Sequence, residues 1–180
     1  MNKKILLWEI GGMIFITLLG SFMHFLFELT GYWAPIGAIA AVNESVWEHL
    51  KLGYWPLTFY ALIQYNFIKN DAKNIAFAKF IASLIIIGFI IVFFYSYTAI
   101  LGDDLLFLDI LSFILSIILA QLVSYKILTM KRFNKAISIL SLIGLIILGV
   151  VFILFTYFPP HLPLFQDGIT GEYGIVIHNI

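Results

Sequence analysis

Residues 77–99 read FAKFIASLIIIGFIIVFFYSYTA, a run in which Lys79 is the only charged side chain. An α-helix rises about 1.5 Å per residue, so roughly 20 apolar residues cross the hydrocarbon core of a bilayer. Four other runs, at 5–29, 45–68, 105–127 and 134–158, satisfy the same requirement. The sequence therefore predicts an all-α fold, a polytopic membrane helical bundle of about five transmembrane helices.

The composition of the whole chain also indicates a membrane protein. Hydrophobic residues make up 62% of the 180 residues and charged residues 11%, which a soluble domain of this length cannot bury in one core. The chain contains no Cys, so disulfides, thiolate metal ligands and a cysteine nucleophile are excluded. The partners we expect are the lipid bilayer and an unidentified substrate, and no nucleic acid.

Two segments do not fit a transmembrane helix. Residues 33–42 are apolar but only half long enough to span, which predicts an interfacial or re-entrant segment. The tail contains three prolines between positions 159 and 163, which excludes a helix there. We therefore expect one transmembrane helical domain, 1–158, followed by a tail, 159–180, that folds over the outer face. The sequence does not decide whether the tail is a lid or only shields the helix ends.

The distribution of lysine and arginine predicts the orientation, because cytoplasmic loops retain positive charge. With the N-terminus inside and the C-terminus outside, nine of the ten Lys and Arg residues lie inside, and Lys51 alone lies outside. Eight of the ten acidic residues and all four histidines then fall in the outer half. Carboxylates contribute little to orientation, so topology alone does not require this acidic outer face. We expect a multi-pass protein in the plasma membrane of a prokaryote.

The segment 43–51, NESVWEHLK, concentrates polar residues in a chain that is otherwise mostly apolar. Part of it fits a helix capping box, with Ser45 as the N-cap and Glu48 three residues later. Glu44 and Glu48 remain four residues apart on one helix face, where like charges repel, and His49 lies beside them. A cation shared by the carboxylates would relieve this repulsion.

Two residues of the first helix complete a candidate metal site. His24 and Glu28 are four apart near its outer end and share a face. Because the first two helices are antiparallel neighbours, this pair comes within reach of Glu44 and His49. Imidazoles and carboxylates suit zinc, manganese or iron. The sequence thus predicts that His24, Glu28, Glu44 and His49 hold a divalent metal such as zinc, although His24 and Glu28 could instead form a buried hydrogen-bonded pair.

Other polar residues extend the predicted pocket. Asp109 lies about one turn into the fourth helix, and together with Glu48 it is a candidate catalytic residue, acting as a general base. The alternative for Asp109 is a carboxylate hydrogen-bonded to hydroxyl groups. Further pocket candidates are Asn43, at the start of the second helix, and His161 and Asp167 in the tail.

Four blocks of the sequence carry a resemblance to a known family. They are Trp8–Gly12, the pair His24 and Glu28, Ala41–Leu52 and Pro159–Asp167. Together they resemble a family of small, uncharacterised prokaryotic integral membrane proteins, catalogued as a domain of unknown function. The resemblance covers the whole chain and rests mainly on the Asn-Glu-Ser-Val-Trp-Glu-His-Leu-Lys block. It implies a polytopic membrane fold and supplies no activity.

Three functions fit these observations. The first is a metal-assisted hydrolase or lipid-modifying enzyme at the outer leaflet, because ligand-type residues cluster at one side of the membrane. The second is a small-solute or cation binding subunit of a transporter, which would need polar residues that continue inward. The third is a structural partner of other membrane proteins. The observation that would discriminate best between them is whether His24, Glu44 and His49 converge around a cavity.

Overall fold

The computed structural model describes residues 2–175, which form five α-helices and two short 3-10 turns. The helices are α1 (Lys3–Leu29), α2 (Val46–Ile68), α3 (Ile75–Leu101), α4 (Leu106–Thr129) and α5 (Lys135–Tyr157), and the turns are Ala34–Ala38 and Pro163–Phe165. The prediction of an all-α bundle is confirmed. The described residues contain no β-strand, only one isolated bridge between Gln166 and Tyr173. Residues 176–180, with His178, lie outside the described part.

The helices begin and end where the local sequence can satisfy free backbone groups. The Asn2 side chain accepts a hydrogen bond from the backbone N–H of Ile5, at the start of α1. Ser45 Oγ accepts one from the N–H of Glu48 at 3.3 Å, so the predicted N-cap of α2 is confirmed. At the other end of a helix, Gly102 follows α3 with φ of +83°, which glycine adopts at little cost.

The helices pack as a ring of four with a fifth outside it. Each of α1 to α4 contacts the next, α4 closes the ring against α1, and α5 packs on α3 and α2. Of the helices in residues 2–175, four are long and apolar enough to cross a membrane: α1, α3, α4 and α5. The chain is thus consistent with a multi-pass membrane protein.

Helix α2 is the least apolar of the five, although it has 23 residues. It buries Glu48, Lys51 and Gln64 among its neighbours, and helices rather than lipid surround these side chains. A helix in this position can carry charge because its polar groups find partners inside the protein. The sequence predicted a fifth span here, and the structure shows a helix of spanning length in the ring, with a polar buried face.

Successive helices are antiparallel, so the connections lie at two ends of the bundle. The histidine end, named for His24 and His49, contains the end of α1, the start of α2 and the tail. The lysine end contains the N-terminus and the connections around Lys73 and Lys131. Between them lies a layer of buried hydrophobic side chains: Ile16, Leu57, Ile86 and Ile117.

Small residues bring α1 close to its neighbours. A Cβ atom added at Gly20 would lie 2.4 Å from the backbone oxygen of Leu52, and one added at Gly12 would lie 2.0 Å from the side-chain nitrogen of Gln121. At Gly20 the neighbour is backbone, so a larger residue would require the helices to separate, whereas at Gly12 the side chain of Gln121 would have to move. This stripe of α1 is a packed face, because Glu9, Gly12 and Gly20 are all buried.

The segment 33–42 forms no span. Its 3-10 turn packs against α1 and α5 at the histidine end, and Ala40 and Val42 are buried beside Phe27. The Gly37 carbonyl accepts a hydrogen bond from the Lys51 ammonium at 2.7 Å. The segment therefore folds onto the helix ends and supplies a polar contact to the bundle interior.

A buried ion pair joins α1 to α3 near the lysine end. The Lys79 ammonium lies 2.9 Å from a carboxylate oxygen of Glu9, and both residues are 1% exposed. The same carboxylate accepts a hydrogen bond from Gln64 at 2.6 Å, and Lys79 donates to Ser124 at 3.1 Å. This cluster supplies donors to the carboxylate and acceptors to the ammonium, as burial of charge requires.

Candidate metal centre

Three side chains from α1, the segment before α2 and α2 itself converge at the histidine end. The Nε2 atoms of His24 and His49 lie 3.1 Å apart. One carboxylate oxygen of Glu44 lies 3.4 Å from His24 Nε2 and 3.3 Å from His49 Nε2. Three potential metal-ligand atoms thus form a nearly equilateral triangle, and the predicted convergence of His24, Glu44 and His49 is confirmed.

The size of the triangle fits a first-row divalent ion. Ligands bound at about 2.0–2.1 Å to a tetrahedral zinc lie about 3.3 Å from one another, which follows from the tetrahedral angle. The three distances in this protein are 3.1, 3.3 and 3.4 Å. An ion could therefore bind above the triangle with little movement of the side chains. Three protein ligands and one open position are the arrangement of catalytic rather than structural zinc sites.

The backbone fixes which nitrogen of His49 faces the triangle. His49 Nδ1 lies 2.8 Å from the carbonyl oxygen of Ser45, one turn earlier. Because a carbonyl oxygen only accepts, Nδ1 carries the proton, which leaves Nε2 as the ring nitrogen that faces the triangle and could bind a metal. A carbonyl that orients a histidine through its second nitrogen is a common feature of metal sites.

The triangle is partly open to solvent and contains an ionised carboxylate. The side chains of His24, His49 and Glu44 are 29%, 34% and 41% exposed. Hydrogen bonding to His24, and then to His49, holds the pKa of Glu44 well below its usual range, although partial burial acts against this. Glu44 is therefore ionised across the physiological range and available to a cation.

A comparison with known protein families gives one match. The model of a family of unknown function, DUF6512, matches residues 1–175. The chain belongs to this family. No curated protein and no solved structure matches the chain. Membership in DUF6512 agrees with the resemblance seen in the sequence and supplies no activity, so the function has to be argued from the site.

In this DUF6512 member, one predicted metal ligand, Glu28, and one predicted base, Glu48, lie apart from the triangle. Glu28 is exposed on α1, one turn or about 6 Å beyond His24, and the structure does not bring it to the group. Glu48 is 2% exposed, and its carboxylate lies 2.5 Å from the Lys51 ammonium. Its other oxygen accepts from Thr156 at 2.8 Å. Glu48 is thus engaged in a buried ion pair.

Asp109, the other candidate base, lies on α4 facing α3. Its carboxylate accepts a hydrogen bond of 2.6 Å from the Tyr97 hydroxyl, and it lies near enough to His49 for the two to interact electrostatically. The Ser112 hydroxyl donates to the backbone carbonyl of Asp109 and not to its carboxylate. The Asp109 carboxylate is therefore held by a hydroxyl group of α3.

The tail is attached to the segment that carries Glu44. The backbone N–H of Glu44 donates to Asp167 at 3.3 Å, and the Asn43 amide donates to the carbonyl of Gly174 at 2.8 Å. Asp167 is buried and also accepts from Thr170 at 2.7 Å. His161 is exposed and packs against Tyr173, apart from the triangle. Asn43 and Asp167 thus hold the loop that presents a candidate ligand.

Phe165 fastens the tail to the helices. It is 5% exposed and packs on Trp47 at a ring separation of 4.8 Å and edge-on to Phe155 at 5.5 Å. These contacts bury apolar surface at the start of α2. The described part of the tail therefore lies across the histidine end, next to Glu44.

A cleft of about 330 Å³ opens beside Glu44, between the tail and α3. Its helix side is formed by Phe94 and Tyr95, and its tail side includes Asp167 and Gly168. Glu44 lines the cleft and belongs to the triangle, so it connects the two, whereas His24 and His49 do not line the cleft.

Sequence reasoning missed the partners of the predicted residues. Thr156 on α5 completes the Glu48–Lys51 pair, and Tyr97 on α3 holds Asp109. Thr156 lies 105 residues from Lys51 and 108 from Glu48, and Tyr97 lies 12 residues from Asp109. Their only sequence signal is a polar group near the end of an apolar helix, which is also the pattern of interfacial anchors.

Proposed function

We propose that the histidine end of this protein binds a divalent metal, zinc in the first instance, through His24, Glu44 and His49. The observation that carries the proposal is the triangle of ligand atoms, with edges of 3.1 to 3.4 Å and an open side. The oriented tautomer of His49 and the ionised state of Glu44 support it, because a metal requires unprotonated ligands.

The activity we propose is metal-assisted hydrolysis, or a related modification, of a lipid at the membrane interface. A zinc ion with an open position supplies a bound water that ionises near neutral pH. Asp109 is our candidate for the base that accepts its proton, since it lies close to His49 and outside the ligand set. The cleft beside Glu44 supports access to the ion.

The hydrophobic layer between the two ends favours an enzyme over a transport subunit. Ile16, Leu57, Ile86 and Ile117 are each fully buried in one cluster between the triangle and the Glu9–Lys79 pair. A transported cation would need polar ligands through this layer. These four side chains offer no ligand atom, and the hydroxyls of Ser83 and Ser116, which are buried in the same region, donate to backbone carbonyls of their own helices.

Metal analysis of the purified protein tests the proposal. Wild-type protein, stripped with a chelator and reloaded with zinc, is expected to hold one ion per chain after removal of free metal. His24→Ala and His49→Ala should lose it. His161→Ala is a matched control, because His161 lies at the same end of the molecule but outside the triangle. Wild-type protein without stoichiometric metal, or His161→Ala with an equal loss, would show that the proposal is wrong.

We propose that the histidine end faces outward in the plasma membrane of a prokaryote, with the N-terminus inside. The support is the uneven distribution of lysine and arginine, which gather at the lysine end. The absence of Cys from the natural chain permits single-cysteine labelling. With a membrane-impermeant thiol reagent on intact cells, Asp103→Cys should react and Lys131→Cys should not. The reverse pattern would exclude this orientation.

A further inference from the structure

The cleft beside Glu44 connects the candidate metal centre with the membrane-facing surface of α3. Tyr95 lines the cleft and is 39% exposed, and Val92, one turn below it, is 66% exposed. Residues three apart on a helix share a face, so the two form one surface leading from the cleft into the apolar zone. A molecule with a polar end in the cleft could therefore keep its hydrocarbon chain along α3.

The walls of the cleft differ in polarity. Phe94 and Tyr95 form the helix side, and the tail side contains the polar residues Gln166 and Asp167 with the backbone of Gly168. An amphiphile matches such a cleft better than a small polar solute, because one of its ends is apolar. The volume of about 330 Å³ is at the lower end of the range for ligand pockets and suits a head group rather than a whole lipid.

The charge at the histidine end restricts the head group further. Among the described residues this end contains one lysine, Lys51, which is buried and paired with Glu48. It contains eight carboxylates: Glu28, Glu44, Glu48, Asp103, Asp104, Asp109, Asp167 and Glu172. Even with a divalent ion bound the end stays negative, so it repels anionic head groups and attracts cationic ones.

We propose that the cleft binds a phospholipid whose head group carries a positively charged amine, and this inference rests on the proposed metal centre. The phosphate takes the open side of the ion held by His24, Glu44 and His49, and the ammonium faces the surrounding carboxylates. The acyl chains lie along Val92 and Tyr95 on α3. A zwitterionic head group offers its phosphate to the bound ion and its ammonium to the carboxylates of the histidine end.

Gly168 offers a way to block the cleft without straining the backbone. It lines the cleft, and a Cβ atom there would meet only the backbone oxygen of Glu44, at the ordinary contact distance of 3.6 Å. Gly168→Leu therefore fills the cleft. Gly88→Leu is the matched control, because Gly88 is exposed on α3 with no other atom within 4 Å of an added Cβ.

Lipid competition on the zinc-loaded protein tests the inference. The protein is placed in nanodiscs that contain equal amounts of phosphatidylethanolamine and phosphatidylglycerol with the same acyl chains, and retained lipid is measured by native mass spectrometry. We expect wild type and Gly88→Leu to prefer phosphatidylethanolamine by roughly fivefold or more, the effect of one charge contact near a charged surface. Gly168→Leu should lose the preference and keep its zinc.

The outcomes separate this inference from the proposed function. A preference for phosphatidylglycerol, no preference, or a preference that survives in Gly168→Leu would overturn the inference, whatever the zinc content. A zinc-free wild type that retains a cleft-dependent preference would overturn the metal centre and the phosphate contact. It would still support selection of the amine by the carboxylates of the histidine end. Zinc bound without any preference would leave the metal centre standing alone.

Discussion

The Glu9–Lys79 pair and the His24–Glu44–His49 triangle balance their charges in opposite ways. Glu9 and Lys79 are 1% exposed, and each neutralises the other at 2.9 Å. The triangle combines a carboxylate with two imidazoles, and its side chains are about one third exposed. The first cluster is complete within the protein, and the second could accept a cation. Because both sit at helix ends of one bundle, this difference separates a structural polar cluster from a candidate site.

The largest effect we expect comes from breaking the complete cluster. Lys79→Met leaves the Glu9 carboxylate buried without its cation, which should reduce the free energy of unfolding by about 3–5 kcal/mol. Thermal unfolding in detergent measures the loss. Lys4→Met is the control, since the Lys4–Asp71 pair is exposed and such pairs contribute about 0–1 kcal/mol. Equal stability of Lys79→Met and wild type would contradict the structural role of the pair.

The triangle should behave in the opposite way, because its stability depends on an added ion. Zinc at a hundred times its dissociation constant should stabilise wild-type protein by about 2.7 kcal/mol through binding to the folded state alone. His49→Ala should show no such increase and should match wild type in the absence of zinc. The melting temperature with and without zinc measures both. A zinc-dependent shift of equal size in His49→Ala would place the ion elsewhere.

Much of this contrast was accessible from the sequence. Helix lengths followed from apolar runs, and the meeting of His24 with Glu44 and His49 followed from the antiparallel order of α1 and α2. The pairing of Glu9 with Lys79 did not, because the residues are 70 positions apart. Their contact depends on how α1 and α3 are rotated in the ring, which apolar runs without a clear polar face do not specify.

The same limit explains the outcome for Glu48. Its spacing from Glu44 suggested a shared cation, but α2 turns Glu48 inward to Lys51 and Thr156. Two acids four apart share a broad face and need not share a partner. Glu44 lies before the first turn of α2, so the loop rather than the helix directs its side chain.

The pH dependence of metal binding shows which ligands of the triangle must lose a proton before the ion binds. The pKa of Glu44 is held far below neutral, so this carboxylate does not limit binding as the pH falls. The histidines limit it, because Nε2 of each must be unprotonated to bind a metal. At a pH where both are protonated in the metal-free protein, affinity should fall by up to about a hundredfold per pH unit for two protons. Zinc titrations between pH 5 and 8 measure the slope, and a dependence on one proton would exclude one histidine.

The smallest effect concerns the tail, which joins the triangle to the rest of the histidine end. Asp167→Ala removes the acceptor for the Glu44 N–H and for Thr170, which should loosen the loop that presents Glu44. Loss of such a supporting contact typically lowers metal affinity 10- to 100-fold, and we expect about tenfold because the two histidine ligands are untouched. Glu172→Ala is the control, since only the backbone oxygen of Glu172 contacts Asp167.

Two measurements on Asp167→Ala separate positioning from folding. If Asp167 positions Glu44, zinc affinity falls while the melting temperature without zinc changes little, because the Glu9–Lys79 pair and the hydrophobic layer are far from the tail. If Asp167 instead supports the whole bundle, both should fall together. Unchanged affinity would mean that Glu44 keeps its place without the tail, and that the loop between the 3-10 turn and α2 is sufficient to build the site.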